Sequence, residues 1–147
     1  MNRRSAKSEG MPKGGSAPRL DHVGVAVADV AAALRLYRDL LGLELVGTDE
    51  VPEQGIRTHH LKLGEAELEL LEPTDPEGPI GKFLAKRGPG IHHVAFRVAD
   101  LDATAKRLAA AGCTPLGEPS RGAQGKRILF FHPATTGGVL LEICEVR

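Results

Sequence analysis

An internal repeat constrains the fold of this 147-residue chain more than any other feature. Residues 20–29 (LDHVGVAVAD) are similar to residues 91–100 (IHHVAFRVAD), and the two copies start 71 residues apart. Each copy is followed by a pattern typical of a helix, which begins after Asp29 or Asp100 and ends at a glycine. Self-similarity at a fixed distance indicates a duplicated supersecondary unit.

Three strand-like segments follow each predicted helix, so the sequence predicts the order β-α-β-β-β twice. These segments are residues 43–51, 56–63 and 66–72 in the first half, and 114–117, 127–132 and 139–146 in the second. The prediction is one α+β domain at residues 19–147, with module one at 19–72, a linker at 73–90 and module two at 91–147. Neither module is long enough to bury much apolar surface alone, so we expect the two to pack together.

The remaining sequence and the composition narrow the class of protein. Residues 1–18 are rich in Gly, Ser, Pro, Lys and Arg and lack apolar periodicity, which predicts a disordered tail. Nineteen basic and nineteen acidic residues give no net charge, and there is no Trp, so nucleic-acid binding is not expected. No apolar run approaches the roughly 20 residues of a membrane-spanning helix. The two cysteines are too few for a disulfide framework, and we predict a cytoplasmic protein with small-molecule partners.

Four polar residues stand at repeated positions in otherwise apolar strands. His22 and His93 are 71 residues apart, and Glu69 and Glu142 are 73 residues apart. Strand alternation places His22 on the face of Gly24, opposite the valines, where small neighbours leave space for a ligand. Two imidazoles and two carboxylates are typical of a divalent-metal site with open coordination positions. The alternative is a solvated sheet face, but the symmetry of the four residues favours the metal site.

Five sequence segments resemble those of a known family: residues 20–24, 52–55, 68–73, 90–96 and 132–142. Together they resemble the vicinal oxygen chelate superfamily and, within it, the methylmalonyl-CoA epimerase family. The resemblance implies two paired βαβββ modules that form a curved open barrel around a metal, and a homodimer. It implies His22, His93 and Glu142 as metal ligands, and Glu69, at a position that is Gln in some relatives, as the fourth. The implied metal is cobalt, with zinc, nickel, manganese or magnesium as substitutes.

The reaction that this resemblance implies is epimerisation at the α-carbon of an acyl-CoA thioester. A metal that chelates the carboxylate and the thioester oxygen stabilises the enolate, and Glu142 takes part in the proton transfer. The family places a second carboxylate where this chain has Thr58. A threonine hydroxyl is a poor general base, so the replacements considered are His60, Glu53 and Gln54.

The substrate-binding prediction rests on side chains near two loops. Gln54 lies in the loop before the predicted strand at residues 56–63. Lys126 and Arg127 follow the glycine-rich residues 122–125. Lys126 and Arg127 are predicted to contact the CoA phosphates, because phosphates need positive charge or backbone amides. The alternative for both is an ordinary exposed hairpin charge.

Two other functions fit the same fold. A glyoxalase I-type isomerase acting on a glutathione hemithioacetal shares the His/Glu/His/Glu set, but residues 132–138 (HPATTGG) resemble the epimerase form. A ring-cleaving dioxygenase normally has a longer chain. A non-enzymatic small-molecule-binding protein of this fold lacks the metal ligands and often carries aromatic stacking residues, in which this chain is poor.

Overall fold

Eight strands form one mixed sheet in the computed structural model of the chain, which describes residues 17–146. In chain order the elements are β1 (Arg19–Ala26), α1 (Val30–Leu34), β2 (Leu45–Val51), β3 (Ile56–Leu63), β4 (Ala66–Pro73), α2 (Pro79–Arg87), β5 (Gly90–Arg97), α3 (Leu101–Ala110), β6 (Ser120–Arg121), β7 (Arg127–Phe131) and β8 (Leu141–Glu145). A π-helical segment, Arg35–Leu40, continues α1. Most of the predicted tail lies outside the described residues. No helix within residues 17–146 is long and apolar enough to cross a membrane.

The repeat in the sequence corresponds to a repeat in the pairing of the strands. The strand order is β2-β3-β4-β1-β5-β8-β7-β6. Strand β1 pairs in parallel with β4, and β5 pairs in parallel with β8, while β1 and β5 are antiparallel to each other. The two repeated segments therefore meet at the centre of the sheet, which curls into a half-barrel. The predicted α+β architecture of two β-α-β-β-β halves is confirmed.

The helix boundaries follow from the residues at their ends. The Asp29 carboxylate accepts a hydrogen bond from the Ala32 N–H at 3.1 Å, and the Asp100 carboxylate accepts one from Ala103 at 3.0 Å. Each bond satisfies one of the backbone donors that the first turn of a helix leaves free. The equivalent caps orient α1 and α3 in the same way after β1 and β5.

The two faces of the central strands have different surroundings. Val23, Val25 and Val27 of the first repeat pack with Val30 and Leu34 of α1. In the second half, a core cluster of Val98, Leu101, Leu129, Phe131 and Ile143 packs with residues of α3. Because side chains alternate along a strand, His22 of β1 and His93 of β5 are left on the concave face.

One predicted strand is wrong. Residues 114–117 form only an isolated bridge, between Pro115 and Phe131, and the short strand β6 lies further along the chain. Pro115 has no N–H to donate to a ladder, which limits the pairing at this edge. Backbone bonds from Leu116 N to Phe130 O (2.8 Å) and from His132 N to Thr114 O (2.8 Å) still hold the segment beside β7.

A candidate metal centre and its cleft

Three of the four predicted metal ligands converge on the concave face at the centre of the sheet. His22 of β1 and His93 of β5 face each other with their Nε2 atoms 3.0 Å apart. The Oε1 atom of Glu142, on β8, lies 3.1 Å from His93 Nε2 and 3.5 Å from His22 Nε2. All three side chains are buried. Two ring nitrogens and a carboxylate oxygen at these distances can bind one divalent ion.

A buried aspartate fixes the orientation of the first histidine. His22 Nδ1–H donates to Asp21 Oδ2 at 2.7 Å, which directs Nε2 toward His93 and Glu142. Asp21 also accepts from Arg97 Nη2 at 2.8 Å and from Lys126 Nζ at 2.7 Å. A carboxylate behind a ligating imidazole is the usual support of a metal-bound histidine.

The charges of the cluster are strongly coupled. Burial lowers the pKa of His22, but hydrogen bonds to Asp21 and Glu142 outweigh burial and raise it to about 10. Burial raises the pKa of Glu142, but hydrogen bonds from His22 and His93 outweigh it and lower the pKa to about 2. In the metal-free protein, His22 therefore holds a proton in the position that a cation would take.

Glu69, the fourth predicted ligand, is buried on β4, but it approaches His22 from the other side of the ring. Its Oε2 lies 3.3 Å from His22 Nδ1. This Oε2 atom is buried without a hydrogen-bond partner, and burial raises the pKa of the carboxyl group. An unpartnered buried carboxylate oxygen is an atom that a cation would satisfy.

The backbone beside the cluster is shaped for the imidazoles. Gly24 is paired with His93 across β1 and β5, and a Cβ atom on Gly24 would lie 2.3 Å from His93 Cε1. Only glycine lets the ring occupy this place. The donor types and this glycine fit a bound divalent metal.

A small cavity of about 30 Å³ adjoins the cluster, and a cleft of about 310 Å³ opens beside it. The cavity is lined by His22, Gln54, Thr58, Glu69, His93, Lys126, Phe130 and Glu142, among others. The cleft shares Gln54, His93 and Phe130 with the cavity, and its other walls include Ile80, Leu116 and Leu140. A mostly apolar cleft that leads to a few convergent polar groups is the usual form of a small-molecule site.

The predicted substrate contacts fall in two different places. Gln54 and Lys126 line the cavity. Lys126 is buried, because its ammonium group is bound to Asp21 rather than exposed on a hairpin. Arg127 points elsewhere and pairs with Asp102 at 3.0 Å and with Glu145 at 3.2 Å.

The residues considered as replacements for the second base also lie in different surroundings. Thr58 is buried and lines the cavity, and its Oγ1 has no hydrogen-bond partner. His60 is fully buried and lies between Glu67 and Asp49, at 2.7 and 2.9 Å. Glu53 is exposed. Of these residues, Thr58, although a poor base, and Gln54 line the cavity, whereas His60 and Glu53 do not.

Asp21 was not among the predicted site residues. Strict alternation would place Asp21 and His22 on opposite faces, but the pairing of β1 with β5 shifts register between Leu20 and His22. This irregularity brings both side chains into the interior. An aspartate directly before a proposed histidine ligand is the signal in the sequence that could have indicated it.

Two β-α-β-β-β halves that share a His/Glu cluster across their central seam define a vicinal oxygen chelate fold. Residues 21–130 match the Glyoxalase/Bleomycin resistance protein/Dioxygenase superfamily, and the chain belongs to it.

The similar proteins include several epimerases. The chain is 40% identical over 131 residues to the ethylmalonyl-CoA/methylmalonyl-CoA epimerase of Cereibacter sphaeroides, a match that covers 87% of this chain and 98% of the relative. The crystal structure of the Mycobacterium tuberculosis methylmalonyl-CoA epimerase is 45% identical, with a TM-score of 0.82 and coverage of 87% of both chains. A variant of the Streptomyces coelicolor enzyme in complex with 2-nitronate-propionyl-CoA is 42% identical, with a TM-score of 0.83 and coverage of 88% of this chain and 98% of that one. The resemblance to the epimerase family is confirmed.

Proposed function

We propose that this protein is a metal-dependent epimerase of methylmalonyl-CoA that acts at the α-carbon through an enolate. The observation that carries the proposal is the convergence of His22, His93 and Glu142 beside an apolar cleft. The names of the similar proteins supply the substrate class and favour epimerisation over the glyoxalase I reaction.

The proposed metal ligands are His22, His93 and Glu142, with Glu69 as the fourth, and cobalt is the proposed ion. When bound, the metal supplies a Lewis acid that stabilises the negative charge of the enolate. The Asp21 carboxylate holds His22 in the tautomer that directs Nε2 into the centre. The apolar walls of the cleft exclude water around the acyl group and so strengthen every charge interaction there.

Glu142 is proposed to move the α-proton on one face of the substrate. Its low pKa keeps it ionised at neutral pH, so that it can accept a proton. Epimerisation also requires a donor on the opposite face. Thr58 faces the cavity from β3, in the other half of the sheet, and its unpartnered Oγ1 is proposed to hold a water that exchanges the second proton.

The acyl and CoA portions of the substrate require different surroundings. Gln54 and Lys126 are proposed to contact the acyl carboxylate, since both line the cavity. A larger cleft of about 650 Å³ continues from His92 and His93 and carries Lys82, Lys86 and Arg87 of α2. These three cations are proposed to attract the CoA phosphates. A phosphate contact by Arg127 remains a prediction, and it requires Arg127 to release Asp102 and Glu145.

The remaining predictions concern organisation. We propose a cytoplasmic homodimer, in which residues 19–72 and 91–147 form the two modules. Size-exclusion chromatography with light scattering tests the dimer, and a mass of 15.6 kDa per particle would contradict it.

The experiment that tests the function is α-proton exchange in deuterated water. Cobalt-loaded protein is incubated with methylmalonyl-CoA, and deuterium at the α-carbon is followed by NMR. We expect catalysed exchange, and we expect Glu142→Gln to abolish it. Glu72→Gln is the matched control, because Glu72 lies on β4 and pairs with Arg57 and His59 away from the centre.

Two results would contradict the proposal. Absence of exchange, together with turnover of the methylglyoxal–glutathione hemithioacetal, would favour the glyoxalase I reaction. Absence of both activities, with a bound ligand still detectable in the cleft, would favour the non-enzymatic binding protein.

A further inference from the structure

A second cluster of metal-ligating side chains lies next to the first, on strands β3 and β4. His60 is directly opposite Glu69 in the register of these strands and is fully buried. Its Nδ1 atom lies 2.7 Å from Glu67 Oε1 and 3.6 Å from Glu69 Oε2. The three donor atoms lie within 4.8 Å of one another, and neither His60 nor Glu67 has a role in the mechanism proposed above.

The second cluster has the same supporting contact as the first. His60 Nε2–H donates to Asp49 Oδ2 at 2.9 Å, just as His22 Nδ1–H donates to Asp21. On the other side of the ring, His60 Nδ1 is hydrogen-bonded to Glu67 Oε1 at 2.7 Å, where a cation would take the place of the shared proton. An imidazole held by a carboxylate on one nitrogen, with carboxylate oxygens close to the other, is the arrangement of a ligating histidine.

Glu69 connects the two clusters. Its unpartnered Oε2 lies between the two rings, 3.3 Å from His22 Nδ1 and 3.6 Å from His60 Nδ1. The contact of this oxygen with His22 is at Nδ1, the ring nitrogen that also faces Asp21. A buried carboxylate oxygen without a hydrogen bond is costly unless a cation binds it.

We propose that His60, Glu67 and Glu69 bind a second divalent cation, with Glu69 shared between this ion and the first. One imidazole and two carboxylates suit a borderline or hard ion such as Co²⁺, Mn²⁺ or Zn²⁺. The site itself does not depend on the substrate proposed above. Only the sharing of Glu69 rests on the first metal centre.

The same two strands provide a matched control on their other face. His59 Nε2 lies 2.9 Å from Glu72 Oε1, so this pair resembles His60 and Glu67 in chemistry and spacing. Glu72 is already bound by the Arg57 guanidinium at 3.2 Å, which supplies the positive charge there. His59→Gln therefore removes an imidazole from β3 without touching the proposed site.

The test is a count of bound cobalt. Protein stripped with a chelator is saturated with Co²⁺, passed through a desalting column, and analysed by inductively coupled plasma mass spectrometry. We expect two cobalt ions per chain in the wild type and in His59→Gln. We expect one in His60→Gln, in Glu67→Gln and in His93→Ala. Glu67→Gln decides the outcome if His60→Gln does not fold, because the Glu67 side chain is 24% exposed.

A second readout separates a shared centre from two independent ions. Protein loaded with Mn²⁺ should give an exchange-broadened electron paramagnetic resonance spectrum, and Glu67→Gln should return it to the six-line spectrum of an isolated ion. One cobalt ion per wild-type chain would overturn the proposal and indicate that hydrogen bonds to carboxylates alone hold His60 in place. Two ions that persist in both His60→Gln and Glu67→Gln would also overturn it. Absence of α-proton exchange with an unchanged count would contradict only the proposed function.

Discussion

Asp21 is the residue whose replacement should disturb this protein most broadly. It is buried and accepts hydrogen bonds from three cationic or polar partners: His22, Arg97 and Lys126. Asp21→Asn keeps the shape of the side chain and removes its charge. The ammonium of Lys126, also buried, then loses the carboxylate that compensates it.

The expected magnitude follows from that burial. The Asp21 and Lys126 side chains are 1% and 9% exposed, so solvent screens their interaction little. Removing one partner of a buried ion pair costs about 3–5 kcal/mol. With a urea dependence of about 2 kcal/mol/M, the unfolding midpoint should fall by about 1.5–2.5 M. Cobalt affinity should fall about 10- to 100-fold, because His22 loses the group that orients it.

Urea unfolding of the metal-free protein, followed by circular dichroism, and a cobalt titration test both effects. Asp39→Asn is the control, because Asp39 pairs with Arg38 on the exposed surface, and its midpoint should stay nearly unchanged. The double variant Asp21→Asn/Lys126→Met should recover part of the lost stability, since it removes the unpaired charge. A loss below about 1 kcal/mol with undiminished cobalt affinity would refute the reasoning, because it would match an exposed pair.

Three further predictions follow from the same site and core. The raised pKa of His22, about 10, stabilises the metal-free protein fully below about pH 6.5, and this contribution should be lost as the pH rises through 10. Urea midpoints measured across this range check it, and a midpoint that rises with pH would contradict it. Gly24→Ala should weaken cobalt binding at least tenfold in titrations, because its Cβ displaces His93, whereas Gly47→Ala, which meets open space, should not; equal affinities would contradict this. Leu70→Ala should lower the free energy of unfolding by about 2–5 kcal/mol, because Leu70 is fully buried, and a loss under 1 kcal/mol would show that the core closes around the gap.

The repeat made the fold and the centre of the site predictable. Once two strands are equivalent, alternation alone assigns His22 and His93 to the same concave face, and the valines to the helices. That inference needs only local geometry and the symmetry of the halves. For this reason the convergence of His22, His93 and Glu142 follows from the sequence.

The residues that support the site depend on contacts that no local pattern contains. Lys126 and Asp21, which form an ion pair, are 105 residues apart in the sequence. The register shift in β1 that turns Asp21 inward cannot be recognised from the alternation of apolar residues. Glu69 was expected to occupy the same position as Glu142 by symmetry. Its Oε2 atom instead lies between two imidazoles, 3.3 Å from His22 Nδ1 and 3.6 Å from His60 Nδ1, because the neighbouring strand of its own half offers a second imidazole there.

The seam between β1 and β5 also bears on the ancestry of the site. A single ancestral half that paired with its own copy would have presented the same histidine and glutamate twice, around a two-fold axis. Within one chain, each half would be able to change alone. In the present chain His60 stands opposite Glu69, while Phe130 stands opposite Glu142 at the corresponding register position. The two halves of the site are therefore no longer equivalent, because one carboxylate faces an imidazole and the other faces an aromatic ring.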